Sequence, residues 1–210
     1  MRSLLLILTF FAMMDSYSDS KKYLENRIPE GSHRHLSFQI CLELMDQRNA
    51  KNLIETGTSR DGLANCLGDG CSTVIFAHWA KENGATLTSI DIDPSSVLKS
   101  MQAVSPINPM VHFAIQDSVS FLHQYDQKID FLYLDSYDFD INDPLPSQKH
   151  HLNEIVAAYH SLTKDSIVMI DDCALPHGGK GRLAIEFLTN QGWLVYYSGY
   201  QVILIHKNSL

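Results

Sequence analysis

The chain has few basic residues and no C-x-x-C cysteine pair. Lys and Arg total 16 against 24 Asp and Glu, which gives a formal net charge of -8 over 210 residues. An acidic chain without a run of Lys or Arg gains little from a phosphate backbone, so no nucleic acid partner is expected. The four cysteines (Cys41, Cys66, Cys71 and Cys173) form no C-x-x-C pair. This predicts free thiols in a reducing compartment and a cytoplasmic protein.

Long hydrophobic runs are also missing. The longest, over residues 4–14, is shorter than the about 20 apolar residues that span a bilayer, so no stable membrane span is expected. The run follows Arg2 and resembles the apolar core of a signal peptide, although no A-x-A cleavage site comes after it. The sequence allows two interpretations of residues 1–14, a signal-like segment and an amphipathic helix. They begin an expected N-terminal helical extension over residues 1–48.

The rest of the sequence alternates between strand-like and helix-like patterns. The predicted strands are residues 52–56, 86–91, 111–115, 129–135 and 166–171, and the predicted helices are 72–81, one opening at Pro94, 118–125, 148–162 and 181–190. Residues 193–197 and 201–206 predict a terminal hairpin. Residues 49–210 are therefore expected to form one α/β domain: a Rossmann-like open, mostly parallel sheet with helices on both faces and a C-terminal antiparallel β-hairpin.

Polar residues stand at the end of each predicted parallel strand. Along the chain they are Glu55 and Gly57, Asp91, Gln116 and Asp117, Asp135, and finally Asp171 and Asp172. Ligands of open α/β sheets bind beyond the carboxyl ends of the strands. Carboxylates that end buried strands also need partners. The set therefore predicts a polar site at this edge that takes a cationic ligand or a metal.

Two further patterns narrow the function. No G-x-G-x-x-G or G-K-[ST] follows the first strand, which removes the main support for dinucleotide and P-loop sites. Instead, Glu55-Thr56-Gly57 resembles the first motif of class I S-adenosylmethionine-dependent methyltransferases. Residues 129–135 and Ile170-Asp171-Asp172 are similar to segments of metal-dependent small-molecule O-methyltransferases of the catechol O-methyltransferase kind.

The resemblance implies roles for the residues at the strand ends. The cofactor-binding residues are then Glu55, Gly57, Asp91, Gln116, Asp117 and Asp135, with Asp91 on the ribose and Asp117 at the adenine edge or serving only as a helix cap. Ser72 and Thr73, at a predicted helix N-terminus, are expected to bind the methionine carboxylate. Asp135, Asp171 and Asp172 are the implied ligands of a divalent cation such as Mg²⁺.

One departure from the catechol enzymes concerns the base. Their Lys after the fourth strand is replaced here by Ser136-Tyr137-Asp138, which argues against a catechol substrate. His151 or Asp138 is expected to take the proton of the acceptor. The predicted function is O-methylation of a small molecule with metal assistance. A non-catalytic S-adenosylmethionine-binding module and a nicotinamide-dependent oxidoreductase are the alternatives. The sequence leaves open which acceptor is used and whether the protein forms a homodimer.

Overall fold

The computed structural model describes residues 20–209, so the signal-like segment 1–14 lies outside the described residues. Its sheet runs in the order β3-β2-β1-β4-β5-β7-β6. The strands are β1 Asn52–Thr56, β2 Thr86–Asp91, β3 His112–Ile115, β4 Ile129–Leu134, β5 Leu162–Ile170, β6 Trp193–Ser198 and β7 Val202–His206. The first five are parallel, and β7 runs antiparallel to both β5 and β6. The predicted mostly parallel sheet with a C-terminal hairpin is confirmed.

Two helices precede the sheet, and the others follow its strands along the chain. The helices are α1 Lys21–Leu24, α2 His35–Gln47, α3 Cys66–Asp69, α4 Ser72–Asn83, α5 Pro94–Val104, α6 Ser118–Gln124, α7 Leu145–Ala158 and α8 Arg182–Asn190. Asp93 caps α5 by accepting hydrogen bonds from the amides of Ser95 and Ser96, as the Asp-Pro pattern predicts. Among residues 20–209, every helix is too short or too polar to cross a bilayer.

Several boundaries differ from the sequence prediction, and two of them have a clear physical cause. Helix α7 begins at Leu145 rather than near residue 148, because Pro144 and Pro146 fit the first turn of a helix, where a missing N–H costs nothing. Strand β5 begins at Leu162 rather than residue 166, and Leu162 pairs with Ile129 of β4. The exposed, charged Lys164 hides this early part of the strand from a search for apolar runs.

Alternating side chains of β4 pack into two cores, one on each face of the sheet. Phe131 and Tyr133 belong to the core covered by α2 and α4. Leu132 and Leu134 belong to the core covered by α7 and α8. Helix α2 is part of this packing, since Phe38 is fully buried in the first core. Helix α2 therefore lies against the sheet, and the division at residue 49 stays a prediction.

The strand order changes direction at β1, which lies between β2 and β4. The chain adds β2 and β3 on one side of β1 and then crosses to add β4 and β5 on the other. Helix α4, which joins β1 to β2, covers one face of the sheet, and helices α6 and α7, before and after β4, cover the other, which opens a crevice at the carboxyl ends of these strands. The predicted polar residues meet at this crevice.

Candidate active site

Two adjoining cavities open at the carboxyl edge of the parallel strands. The larger, of about 430 Å³, is named the polar cavity because charged side chains form most of its wall. The smaller, of about 260 Å³, is named the side cavity. Gly57, Asp91 and Ser136 line both, so the two cavities meet where β1, β2 and β4 end. Another cavity of about 450 Å³ is lined by α1 and by residues up to the start of α2.

Gly57 makes the turn that follows β1. Its φ is +79°, in the left-handed region that favours glycine, and its amide donates to the carbonyl of Ile90 on β2 at 2.8 Å. A Cβ at this position would overlap the carbonyl oxygen of Asp135 after β4. The absence of a side chain therefore lets three strand ends approach one another at the junction of the cavities.

Asp91 ends β2 on the wall of both cavities. Its Oδ2 accepts a hydrogen bond from the amide of Thr58 at 3.1 Å, and its Oδ1 accepts one from the amide of Asp93 at 2.8 Å. These two amides hold the carboxylate over the turn at Gly57. Each carboxylate oxygen has a second acceptor position, so Asp91 can still accept hydrogen bonds from a ligand that carries two adjacent hydroxyls.

The side cavity combines apolar walls with a polar end. Ile92 and Tyr137 supply apolar surface, and Gln116 and Asp117 supply polar groups. Asp117 also caps α6, because its Oδ1 accepts a hydrogen bond from the amide of Ser120 at 2.8 Å. The residue therefore both caps the helix and lines the side cavity. A small cavity with apolar sides and a few polar atoms at one end suits a heteroaromatic ring.

Three carboxylates lie together after β4 and β5, and each faces a cation. Lys180 Nζ lies 2.7 Å from Asp135 Oδ1 and 3.0 Å from Asp172 Oδ2. Arg34, just before α2, places Nε 3.0 Å from Asp171 Oδ2 and Nη2 3.3 Å from Asp172 Oδ1. Burial opposes the charge on Lys180, but Asp135 and Asp172 outweigh it and raise the pKa of the ammonium above its ordinary value.

The implied divalent cation does not fit this cluster. The ammonium of Lys180 lies between Asp135 and Asp172. Asp171 is fully buried and already bonded, since the Tyr133 hydroxyl donates to its Oδ2 at 2.9 Å and the Asp172 amide donates to its Oδ1 at 2.8 Å. Within residues 20–209, no group of three or more His, Cys, Asp or Glu side chains is arranged to hold a metal ion. The geometry gives no support to the expected Mg²⁺ site.

Residues 67–173, just over half of the chain, match the model of a family described as a methyltransferase domain. The chain belongs to this methyltransferase family. The match confirms the resemblance to class I S-adenosylmethionine-dependent methyltransferases and favours methyl transfer over a nicotinamide-dependent oxidoreductase. A comparison with curated proteins matches none of them.

Solved methyltransferase structures share the fold at low sequence identity. PaMTH1 from Podospora anserina, bound to SAH (S-adenosylhomocysteine), is 12% identical, with a TM-score of 0.59 over 92% of this chain and 88% of that one. The O-methyltransferase from Bacillus cereus in complex with SAH is 11% identical, with a TM-score of 0.56 over 91% and 90%. A methyltransferase from Geobacter sulfurreducens is 14% identical, with a TM-score of 0.55 over 91% and 87%.

Glu55 of the methyltransferase lies beneath the cavities rather than on their walls. It is fully buried, and its Oε2 accepts a hydrogen bond from Ser89 Oγ at 2.7 Å. Burial raises the pKa of Glu55 to about 7, although hydrogen bonds from Ser72 and Ser89 work against the rise. Glu55 is therefore held against β2 and enclosed by protein, and its direct contact with the cofactor stays a prediction.

The N-terminus of α4 is enclosed by protein. Thr73 donates its amide to Ser59 Oγ at 3.2 Å, and its Oγ1 accepts from the Ser59 amide at 2.8 Å. Ser72 is buried as well, and the walls of the two cavities are formed by other residues. The expectation that Ser72 and Thr73 bind the methionine carboxylate is therefore not supported, because the loop before α4 uses this end of the helix.

The two candidate bases have different surroundings. His151 of α7 is fully buried, its Nδ1 lies 2.8 Å from the carbonyl oxygen of Ser147, and burial lowers the pKa of its ring. This enclosure gives no support to direct contact of His151 with an acceptor, and its role as a base stays a prediction. Asp138 does line the polar cavity, but a two-pronged ion pair with Arg60, at 2.9 and 3.1 Å, lowers its pKa. Asp138 stays a candidate, with weak basicity.

Several cationic and aromatic side chains of the site were not predicted from the sequence. Arg34 and Arg60 line the polar cavity with Tyr200, and the Arg34 guanidinium lies 4.6 Å from the centre of the Tyr200 ring. No pattern in a single sequence shows that the segment before α2 reaches the strand ends. Lys180 did carry a signal, because it stands in the run Gly178-Gly179-Lys180-Gly181, where glycines permit a tight turn around one charged residue.

Cys66 and Cys71 form a disulfide, so the expectation of free thiols is wrong for this pair. The other two cysteines are free, as expected. The single turn of α3 brings the two ends together at a spacing that a search for C-x-x-C overlooks. The closed loop contains Gly68, whose carbonyl accepts a hydrogen bond from Arg34 Nη1 at 2.7 Å. The disulfide therefore holds one part of the polar cavity wall.

Breaking this disulfide is expected to lower the stability of the methyltransferase modestly. The loop is short, with a sequence separation of 5, so the bond contributes about 2 kcal/mol in the chain-entropy account. In a protein of this size, that corresponds to a fall of about 4–8 °C in the thermal midpoint. Circular dichroism with and without dithiothreitol measures it. The thermal midpoint of the Cys66→Ser, Cys71→Ser double variant should not change with the reductant. A fall as large as that of the wild type would show that the reductant acts at a site other than this disulfide.

Proposed function

We propose that this methyltransferase transfers a methyl group from S-adenosylmethionine to a hydroxyl oxygen of a small, polar molecule. The observation that carries the proposal is the junction of the two cavities at Gly57, Asp91 and Ser136. An elongated ligand can occupy the side cavity with one end and reach the polar cavity with the other. The polar cavity then has room for a second, small molecule.

The residues at the junction fit the cofactor. Asp91 would accept the ribose hydroxyls, Ile92 and Tyr137 would flank the adenine, and Gln116 and Asp117 would meet its polar edge. Gly57 leaves the backbone open to close approach. When bound, S-adenosylmethionine supplies a methyl group that is activated by the positive charge of its sulfonium. The task left to the protein is alignment of this group with the acceptor oxygen.

The wall of the polar cavity favours a hydroxylated acceptor. Arg34 and Arg60 present donors, and Asp138 and Asp172 present acceptors. Tyr200 is the one aromatic side chain that the described residues contribute to this wall. A large planar acceptor would find little apolar surface here, whereas a molecule with several hydroxyls could pair with the charged groups. Asp138 is the candidate to receive the hydroxyl proton.

One of the solved structures that share the fold is an O-methyltransferase in complex with SAH. Its low identity makes the likeness one of fold, so support for the acceptor class comes from the cavity wall.

Methyl transfer can be tested with pools of acceptors. The protein is incubated with S-adenosylmethionine and separate pools of polyols, hydroxy acids, amines and thiols, and SAH and methylated products are measured by mass spectrometry. We expect SAH to form with a hydroxylated pool and the product to gain one methyl group on oxygen. Transfer to amines or thiols alone would contradict the proposal. Tight SAH binding without a product from any pool would favour a non-catalytic module.

A further inference from the structure

Every carboxylate of the cluster after β4 and β5 is matched by a cation of the chain itself. Asp135 and Asp172 share the ammonium of Lys180, at 2.7 and 3.0 Å. Asp171 and Asp172 share the guanidinium of Arg34, at 3.0 and 3.3 Å. Two fixed positive charges thus stand among three carboxylates, at the place where the related metal-dependent enzymes are expected to hold one divalent cation.

Lys180 is held in this position by the loop that carries it. Gly179 has a φ of +55°, and a Cβ there would overlap the carbonyl oxygen of Asp172. The Gln148 side-chain amide of α7 donates to the carbonyls of His177 and Gly179 at 3.1 and 3.0 Å. These contacts fold the loop tightly over Asp172, and the Lys180 side chain is only 2% exposed.

A buried ammonium needs opposite charges close by, and this one has two. A divalent ion bound by the same carboxylate oxygens would stand within a few ångströms of Lys180 Nζ and would be repelled by it. The carboxylate oxygens that a metal requires are also the ones that Lys180 and Arg34 use. Cation and metal therefore compete for one place.

We propose that the ammonium of Lys180 takes the place of a divalent cation between Asp135 and Asp172, so that this site works without a metal. Lys180 is a positioning residue, because it acts through the two carboxylates that line the polar cavity. It holds these side chains in place and reduces the negative charge that an acceptor oxygen meets. The effect of Lys180 on catalysis rests on the proposed methyl transfer. The replacement of a divalent cation by its ammonium is a property of the cluster itself.

Manganese binding tests the replacement without measuring activity. Free Mn²⁺ is followed by electron paramagnetic resonance in the presence of the full chain, up to about 1 mM, the range of weak carboxylate sites. We expect no Mn²⁺ at this site in the wild type. Removal of the ammonium in Lys180→Ala should create a site for one Mn²⁺, with affinity at least about tenfold above wild type. Adding Asp172→Asn to Lys180→Ala should abolish it.

A matched control removes another lysine from an ion pair. Lys128 Nζ lies 2.8 Å from Asp130 Oδ1. Asp130 is one isolated carboxylate and does not belong to the cluster, so Lys128→Ala should gain no Mn²⁺ site. Two results would overturn the proposal: Mn²⁺ binding by the wild type that Asp172→Asn removes, or a folded Lys180→Ala protein that binds none. If Lys180→Ala does not fold, Lys180→Ser repeats the test, and if neither folds with or without Mn²⁺, the wild-type titration decides.

Titration of SAH into the same samples separates this inference from the proposed function. A wild-type protein that binds neither SAH nor Mn²⁺ would contradict the proposed function and leave the charge replacement standing. A wild-type protein that binds both, with Mn²⁺ held at Asp172, would contradict the charge replacement and leave the proposed function standing.

Discussion

Replacement of Gly57 by alanine is expected to remove cofactor binding and to destabilise the methyltransferase. The backbone here has a φ of +79°, and the added Cβ would overlap the carbonyl oxygen of Asp135, which belongs to the neighbouring strand end. Left-handed strain and overpacking together should cost about 2–5 kcal/mol. Urea unfolding measures the stability loss, and calorimetric titration with SAH measures the loss of affinity.

Gly84 provides a matched control for this substitution. It also has a positive φ, +58°, but among the described residues nothing lies within 4 Å of a Cβ placed there. Gly84→Ala should therefore cost only about 1–2 kcal/mol of left-handed backbone strain and leave SAH affinity unchanged. Equal stability losses in the two variants, or wild-type SAH affinity in Gly57→Ala, would contradict the role given to the turn after β1.

The second large effect is expected at Asp91. Asp91→Ala removes the carboxylate that lies on the wall of both cavities and is fixed by the amides of Thr58 and Asp93. Hydrogen bonds to a charged group contribute about 1.5–3 kcal/mol, so SAH affinity should fall by about 10–100-fold. Stability should fall too, because two backbone amides lose their acceptor.

Asp130 is the control that separates affinity from stability. Its Oδ2 also accepts hydrogen bonds from two backbone amides, those of Lys51 and Asn52 at 2.9 and 3.0 Å. It stands near the start of β4, at the opposite edge of the sheet from the cavities. Asp130→Ala should lower the midpoint of urea unfolding and leave SAH affinity as it is. Loss of SAH affinity in Asp130→Ala as large as in Asp91→Ala would show that the effect is general destabilisation.

The sequence predicted those parts of the site that follow from strand ends. A buried strand must stop where its apolar run stops, so the run through Leu134 places Asp135 at the carboxyl edge, and the Asp-Pro pattern places helix α5 directly after β2. The strand order then gathers such ends at one crevice. These features depend on local composition and on the geometry that parallel sheets share.

The cations of the site could not be predicted in this way. Lys180 and Asp135 are 45 residues apart, and Arg34 and Asp171 are 137 apart, so only the folded chain brings them together. The burial of His151 was foreseeable, because Ile155 and Ala158 follow it at helical spacing and all three lie on the inner face of α7.

A crystal structure of the methyltransferase grown with SAH would show whether the two cavities form the cofactor site. We expect density for one SAH molecule at the junction of the cavities, with its ribose hydroxyls on Asp91 and its adenine between Ile92 and Tyr137. SAH bound at another surface, with both cavities free of it at saturating concentration, would contradict this expectation.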